Sequence, residues 1–154
     1  NKVAMGINKL EMYLKEAKLH IQRLEDVLKR LENIYPLTQE KFQNLSSTEL
    51  DSLDTLAFRF AKLQDLIGSK IFREYLSEVG FVIEDKTFWD ILREIEKEGI
   101  IDIDLWSEFR KVRNLLAHDY PDEIEEKIEA INYLVEKTPL LIEVVKKIED
   151  KVKR

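Results

Sequence analysis

From Leu10 onward the apolar positions Leu10, Leu14, Ala17, Ile21, Leu24, Leu28 and Leu31 follow one another in alternating steps of four and three. A 3.6-residue turn gathers such steps on one face, so the spacing predicts a helix of roughly seven turns. Pro36 ends the pattern, because the residue ahead of a proline, here Tyr35, is pushed out of the helical region. "SSTEL" then reads as a new start, with Ser46 and Glu49 at capping-box spacing. A second long pattern, "LDTLAFRFAKLQDLIGSKIFREYLSEV", runs to Gly80, a natural C-terminal stop. Gly68 inside it costs about 1 kcal/mol relative to alanine, which points to close packing at that position.

Thr87 can cap a short helix, "FWDILREIEKE", closed by Gly99, and Asp102 or Asp104 can cap the next, "LWSEFRKVRNLLAH". Tyr120 and Pro121 interrupt the periodicity. Pro121, with Asp122, Glu123 and Glu125, fits the first turn of a last helix. That helix continues through Ile124, Ile128, Ile131, Leu134 and Val135, and Pro139 is expected to kink or break it. No strand pattern is longer than "FVI", and there is no repeat. The expected fold is all-α: one domain over residues 1–154, an antiparallel bundle of about five helices joined by short loops.

Composition narrows the chemistry. Apolar residues make up 44% of the 154 positions and charged residues 36%, enough for a single core and too ordered a mixture for a disordered tail. The chain has no cysteine, so a disulfide framework and a thiolate metal site are both excluded. No apolar run reaches the roughly eighteen residues of a membrane span. The first residues, "NKVAMGINKLEMYLKEAK", carry charges every few positions where a signal peptide needs an apolar stretch. A cytoplasmic protein without a membrane partner is expected. The net charge of −6 argues against a general nucleic-acid coat and leaves room for a small basic cleft.

The candidate chemistry is concentrated in "FRKVRNLLAHDYP". With 100° per residue, Leu105, Phe109, Val112 and Leu116 fall within about 60° and form the expected core stripe, with Arg113 on its border. Asn114 lies on the opposite face, and His118 lies over it one turn later. Arg113 and His118 are then about 140° apart on an unbroken helix, too far to meet at one atom. Either the helix ends near Ala117 and lets His118 swing, or two copies bring the residues together across a two-fold axis. The residue types suit phosphate chemistry. Arginine presents a permanently charged planar fork to a phosphate or a pentacovalent transition state. Histidine can take a proton from a ribose 2′-hydroxyl or return one to a leaving oxygen near neutral pH. Asparagine can orient either partner. Such a cleavage needs no metal, and no cofactor is expected.

The string Arg113-Asn114-Leu115-Leu116-Ala117-His118-Asp119-Tyr120 resembles the Arg-x4-His-x-Tyr signature of HEPN-domain proteins, in particular the HepT-type toxins encoded beside minimal nucleotidyltransferases. The all-helical length and the lead-in "EIEKEGIIDIDLWSEFRKVRN" are similar as well. The resemblance implies a metal-independent endoribonuclease with a composite site at a homodimer interface. Arg113 and His118 would be the catalytic pair, and Asn114 a polar helper. It also implies that Tyr120 is adenylylated by a cognate nucleotidyltransferase antitoxin, which silences the toxin. A related branch, the substrate-binding subunits of two-component nucleotidyltransferases, carries similar residues and would bind a nucleotide without cleaving RNA. A third reading is a helical interaction module whose first seam serves a partner.

Arg59, Lys62, Lys70 and Arg73 share one side of the second long pattern and, with Arg110 and Lys111, are candidate contacts to an RNA backbone. His20 is expected to pack on the flank of the first seam. Trp89 and Trp106, at helix starts beside apolar neighbours, are expected in the core rather than as base-stacking platforms.

Overall fold

A computed structural model describes residues 8–118 and 121–153, all of its regular structure helical. Asn8 caps α1 (Lys9–Arg30), its side chain accepting from the backbone N–H of Leu10 and Glu11. The buried face carries Leu10, Leu14, Ala17, His20, Leu24 and Val27, with Ile21 and Leu28 only half-buried. α1 stops at Arg30, short of the position set by Pro36, and leaves the helix through turns bonded three residues back. The following segment is held by Asn132, whose amide oxygen accepts from Leu37 N–H at 2.8 Å while its amide nitrogen donates to Leu37 C=O at 2.9 Å. A one-turn helix, α2 (Gln39–Gln43), capped by Thr38, leads to α3 (Ser47–Leu66). The capping box of Ser46 and Glu49 forms in both directions.

α3 passes into a π turn (Ile67–Ile71) and then α4 (Phe72–Glu78). A Cβ on Gly68 would stand 2.8 Å from Cζ2 of Trp106, so the close packing expected there is present. Helix α4 ends in a paired stop. Phe81 N–H bonds to Leu76 C=O, Gly80 N–H bonds to Ser77 C=O, and Gly80 takes a φ of 101° that a side chain resists. α5 (Phe88–Lys97) starts on a second reciprocal box, Thr87 with Asp90, and α6 (Ile103–Leu116) is capped by Asp102 rather than Asp104.

α7 (Ile124–Val152) departs from the sequence reading twice. It starts at Ile124, after a turn at Pro121 and Asp122, and it runs unbroken through Pro139. Thr138, Leu141 and Ile142 are buried around the proline, while Pro139 itself is exposed. Packing therefore keeps the helix continuous across the proline, and the carbonyl deprived of its N–H partner can be met by water.

Cross-helix bonds fix the directions. Asn8 bonds Glu78 and Arg30 bonds Ser52, so α1 runs against α3 and α4. Lys18 pairs with Glu149 while Leu37, beyond the end of α1, meets Asn132, so α1 also opposes α7. One hydrophobic cluster joins the long helices, with Phe60, Phe72, Trp106 and Phe109 at its aromatic centre. Phe60 and Phe109 meet edge to face at 5.6 Å. Among the described residues no helix is long and apolar enough to cross a membrane.

Candidate functional site

Helix α6 does not bury the stripe expected from its leucines. Trp106 and Phe109 are its fully buried residues, and Leu105, Val112 and Leu116 are only partly covered. The buried face is rotated by roughly 60°, and at 100° per residue Arg113 falls between Trp106 and Phe109. Arg113 is therefore the residue on which the core stripe of α6 emerges into solvent, rather than a residue at its border. Its Nη2 bonds the Asp65 carboxylate of α3 at 2.8 Å, and its Nη1 donates to Asn114 Oδ1 at 3.4 Å. Its Nε is buried and meets no acceptor among the described residues.

The α6 helix ends at Leu116 with Ala117 as cap, so His118 lies beyond the last turn. His118 is thus not bound to the position that a regular helix would give it, and the two residues line separate hollows. Arg113 lines a hollow of about 260 Å³ with Phe58, Ala61 and Ile131. His118 lines a neighbouring hollow of about 370 Å³ with Phe42, Leu50 and Ile124. Asp54 and Lys127 line both, forming the ridge between them. Asn114 is exposed beside Arg113. Tyr120, the expected modification site, lies outside the described residues.

The expected basic stripe is divided. Arg59 donates to His20 Nδ1 at 3.0 Å, and the Arg59 guanidinium and Lys62 ammonium stand 5.4 and 5.6 Å from the ring centre of Phe58. Through Phe58, exposed at 53%, these two cations border the Arg113 hollow. Lys70 turns to the ring of Tyr13 on α1, and Arg73 donates to the carbonyl of Lys86. Neither is brought to Arg113 or His118. Lys111 is exposed on α6, and Arg110 lies 5.6 Å over the ring of Phe88.

His20 is buried between α1 and α3, as a packing residue. Arginine can only donate, so Nδ1 of His20 accepts and the ring proton sits on Nε2. Nε2 lies 3.6 Å from Glu16, too far for a hydrogen bond, and has no other partner. Burial lowers the pKa of His20, and the nearby Arg59 and Lys62 charges act in the same direction against the pull of Glu16.

Several residues of the site were not foreseen. Asp65, which holds Arg113, is 48 positions away and carries no local signal. Trp106 is in the core as expected, but Trp89 is 47% exposed. Phe88, Ile91, Leu92 and Ile95 form the covered face of α5, and Trp89 stands about 100° off it, a placement the periodicity does carry. The chain matches no family model, no curated protein and no solved structure.

Proposed function

We propose that this protein is a metal-independent endoribonuclease of the HepT-like, HEPN kind. Arg113 steadies the phosphorane, and His118 moves the proton. In the reaction the ribose 2′-oxygen bonds phosphorus as its proton passes to His118, the bond from phosphorus to the 5′-oxygen breaks, and that oxygen takes up a proton. The products are a 2′,3′-cyclic phosphate and a 5′-hydroxyl. Asn114, which accepts from Arg113, keeps the fork aligned. Two copies complete the site, and a nucleotidyltransferase partner silences it by adenylylating Tyr120.

The observation that carries this reading is the end of α6 at Leu116, which leaves Arg113 held by Asp65 and His118 outside the helix, in adjoining hollows. The test is cleavage of single-stranded RNA by the purified chain. Arg113→Ala and His118→Ala are each expected to lower the rate by 100-fold or more, on the order of a lost acid–base or charge-stabilising group. Undiminished cleavage in both variants overturns the assignment of the pair. Intact mass after co-expression with a cognate nucleotidyltransferase tests the Tyr120 proposal separately.

Binding without cleavage, as in a substrate-binding subunit of a two-component nucleotidyltransferase, is favoured by one contact. The Asp65 carboxylate occupies the fork that a phosphate needs. Nucleotide binding that is lost in Arg113→Ala, with no RNA cleavage at any protein concentration, selects this second reading.

A further inference from the structure

A cleft of about 340 Å³ opens between the π turn, the start of α5 and the middle of α6, beside the Asp65–Arg113 pair. Its lining includes two buried side chains with bare polar atoms. Gln64 is 4% exposed and its Oε1 has no donor, while Trp106 is 1% exposed and its Nε1–H has no acceptor. A bare acceptor and a bare donor at such depth each cost free energy that a bound partner can return. The indole orientation follows from Gly68. Cζ2 of Trp106, one bond from the carbon that carries Nε1, faces the missing Cβ of Gly68, and Gly68 lines the cleft. Nε1 therefore lies near the Gly68 contact, buried beneath the lining of the cleft.

The walls supply the rest of a recognition set. Trp89 is half exposed and meets Phe88 edge to face at 6.0 Å, giving a planar apolar side against which a ring can lie. Arg110, exposed at the rim over Phe88, supplies a permanent positive charge. The volume is at the small end of ligand clefts, about 300–1,000 Å³, and suits one nucleotide rather than a folded partner. The wide π turn that carries Gly68 and Ser69 is a backbone form often found at functional sites.

We propose that this cleft binds a single unpaired nucleobase. The base lies against Trp89, its polar edge donates a hydrogen bond to Gln64 Oε1 and accepts one from the Nε1–H of Trp106, and its phosphate is held by Arg110. A flat heterocycle with a donor and an acceptor on one edge and an anionic tail meets all four features together. The site needs no reaction, so it stands whether or not Arg113 and His118 cleave RNA.

The experiment is calorimetric titration of the intact chain with AMP, GMP, CMP and UMP, with ribose 5-phosphate as the baseless control. The chain has two tryptophans, both on this cleft, so quenching of intrinsic fluorescence reports occupancy independently. At least one nucleotide is expected to bind saturably with a dissociation constant below about 1 mM, and ribose 5-phosphate is expected to bind far more weakly. Trp89→Ala, at an exposed position, is expected to weaken binding about tenfold or more. Gln64→Leu is expected to weaken it to a similar extent with no loss of folding. Absence of saturable binding, equal affinity for ribose 5-phosphate, or unchanged affinity in both variants overturns the proposal and leaves ordered water as the partner of the bare atoms. Mononucleotides contain no cleavable phosphodiester, so the result is separate from the ribonuclease test. RNA cleavage without nucleotide binding removes the cleft alone, and nucleotide binding without cleavage removes the ribonuclease reading alone.

Discussion

Replacing Gln64 by leucine removes one buried, bare carbonyl oxygen from the edge of the core. Phe60, Leu63 and Ile67, near it in sequence, are all fully buried. A buried acceptor without a donor costs about 1–3 kcal/mol, and an apolar side chain of similar length does not incur that cost. Trp106 Nε1 lacks an acceptor before and after the change, so its contribution cancels. The expected result is a gain of about 1–2 kcal/mol. For a chain of this size 1 kcal/mol corresponds to about 2–4 °C, so the melting midpoint rises by about 2–8 °C. Thermal unfolding followed by circular dichroism, with urea denaturation as a second measure, reads the change. A lower midpoint would refute the reasoning, because it would mean that Oε1 is satisfied in solution. The same substitution is expected to abolish the nucleobase contact, so stability and binding should move in opposite directions at one residue.

Gly68→Ala should destabilise the fold by about 1–2 kcal/mol: the new Cβ meets Trp106 Cζ2 at 2.8 Å, an overpacking cost that outweighs the helix-propensity gain. Trp106→Phe should relieve part of that clash, and a double-mutant cycle on melting midpoints with no coupling between the two sites would contradict it. The folded-state pKa of His20 lies below its unfolded value, so the unfolded chain binds the extra proton first. Stability is therefore full above about pH 6.5 and falls as pH drops through the window below it. His20→Gln should flatten this part of the midpoint-versus-pH curve, and an unchanged slope would show that His20 does not titrate as described. Asp65→Asn removes the carboxylate held by Arg113, and RNA affinity should rise severalfold at low salt as the guanidinium is released to phosphate; a loss of affinity measured by fluorescence anisotropy would count against Arg113 as a phosphate contact.

Features legible in the sequence were those decided within one turn of chain. Ser46 with Glu49, the Thr87 cap, and the stops at Gly80 and Gly99 depend on backbone groups three or four residues away, and they form as read. Pro139 does not break the helix as it could have, because the interior packing of Thr138, Leu141 and Ile142 outweighs the local defect. The π turn left a trace that only a count of steps discloses. Leu63, Ile67, Ile71 and Tyr75 follow one another by fours, which drifts about 40° per step in a 3.6-residue helix and stays aligned only if the turn widens. At the site, Arg113 and His118 are visible as residue types, but Asp65 reaches Arg113, and Asp54 and Lys127 join the two hollows, from other helices. The rotation of α6 that puts Arg113 in line with Trp106 and Phe109 depends on which aromatic rings the facing helices accept, and the periodicity of α6 alone does not hold that information.

Arg113 continues a buried stripe, and this has an entropic consequence. A long arginine side chain loses up to about 2 kcal/mol of rotamer freedom when it is fixed. Here the side chain is held by its bond to Asp65, with Nε already out of water. That loss belongs to folding, so an incoming anion does not have to impose it again. Its binding has only to displace the Asp65 carboxylate, an exchange of one oxygen acceptor for another at a guanidinium that is preorganised before any substrate arrives.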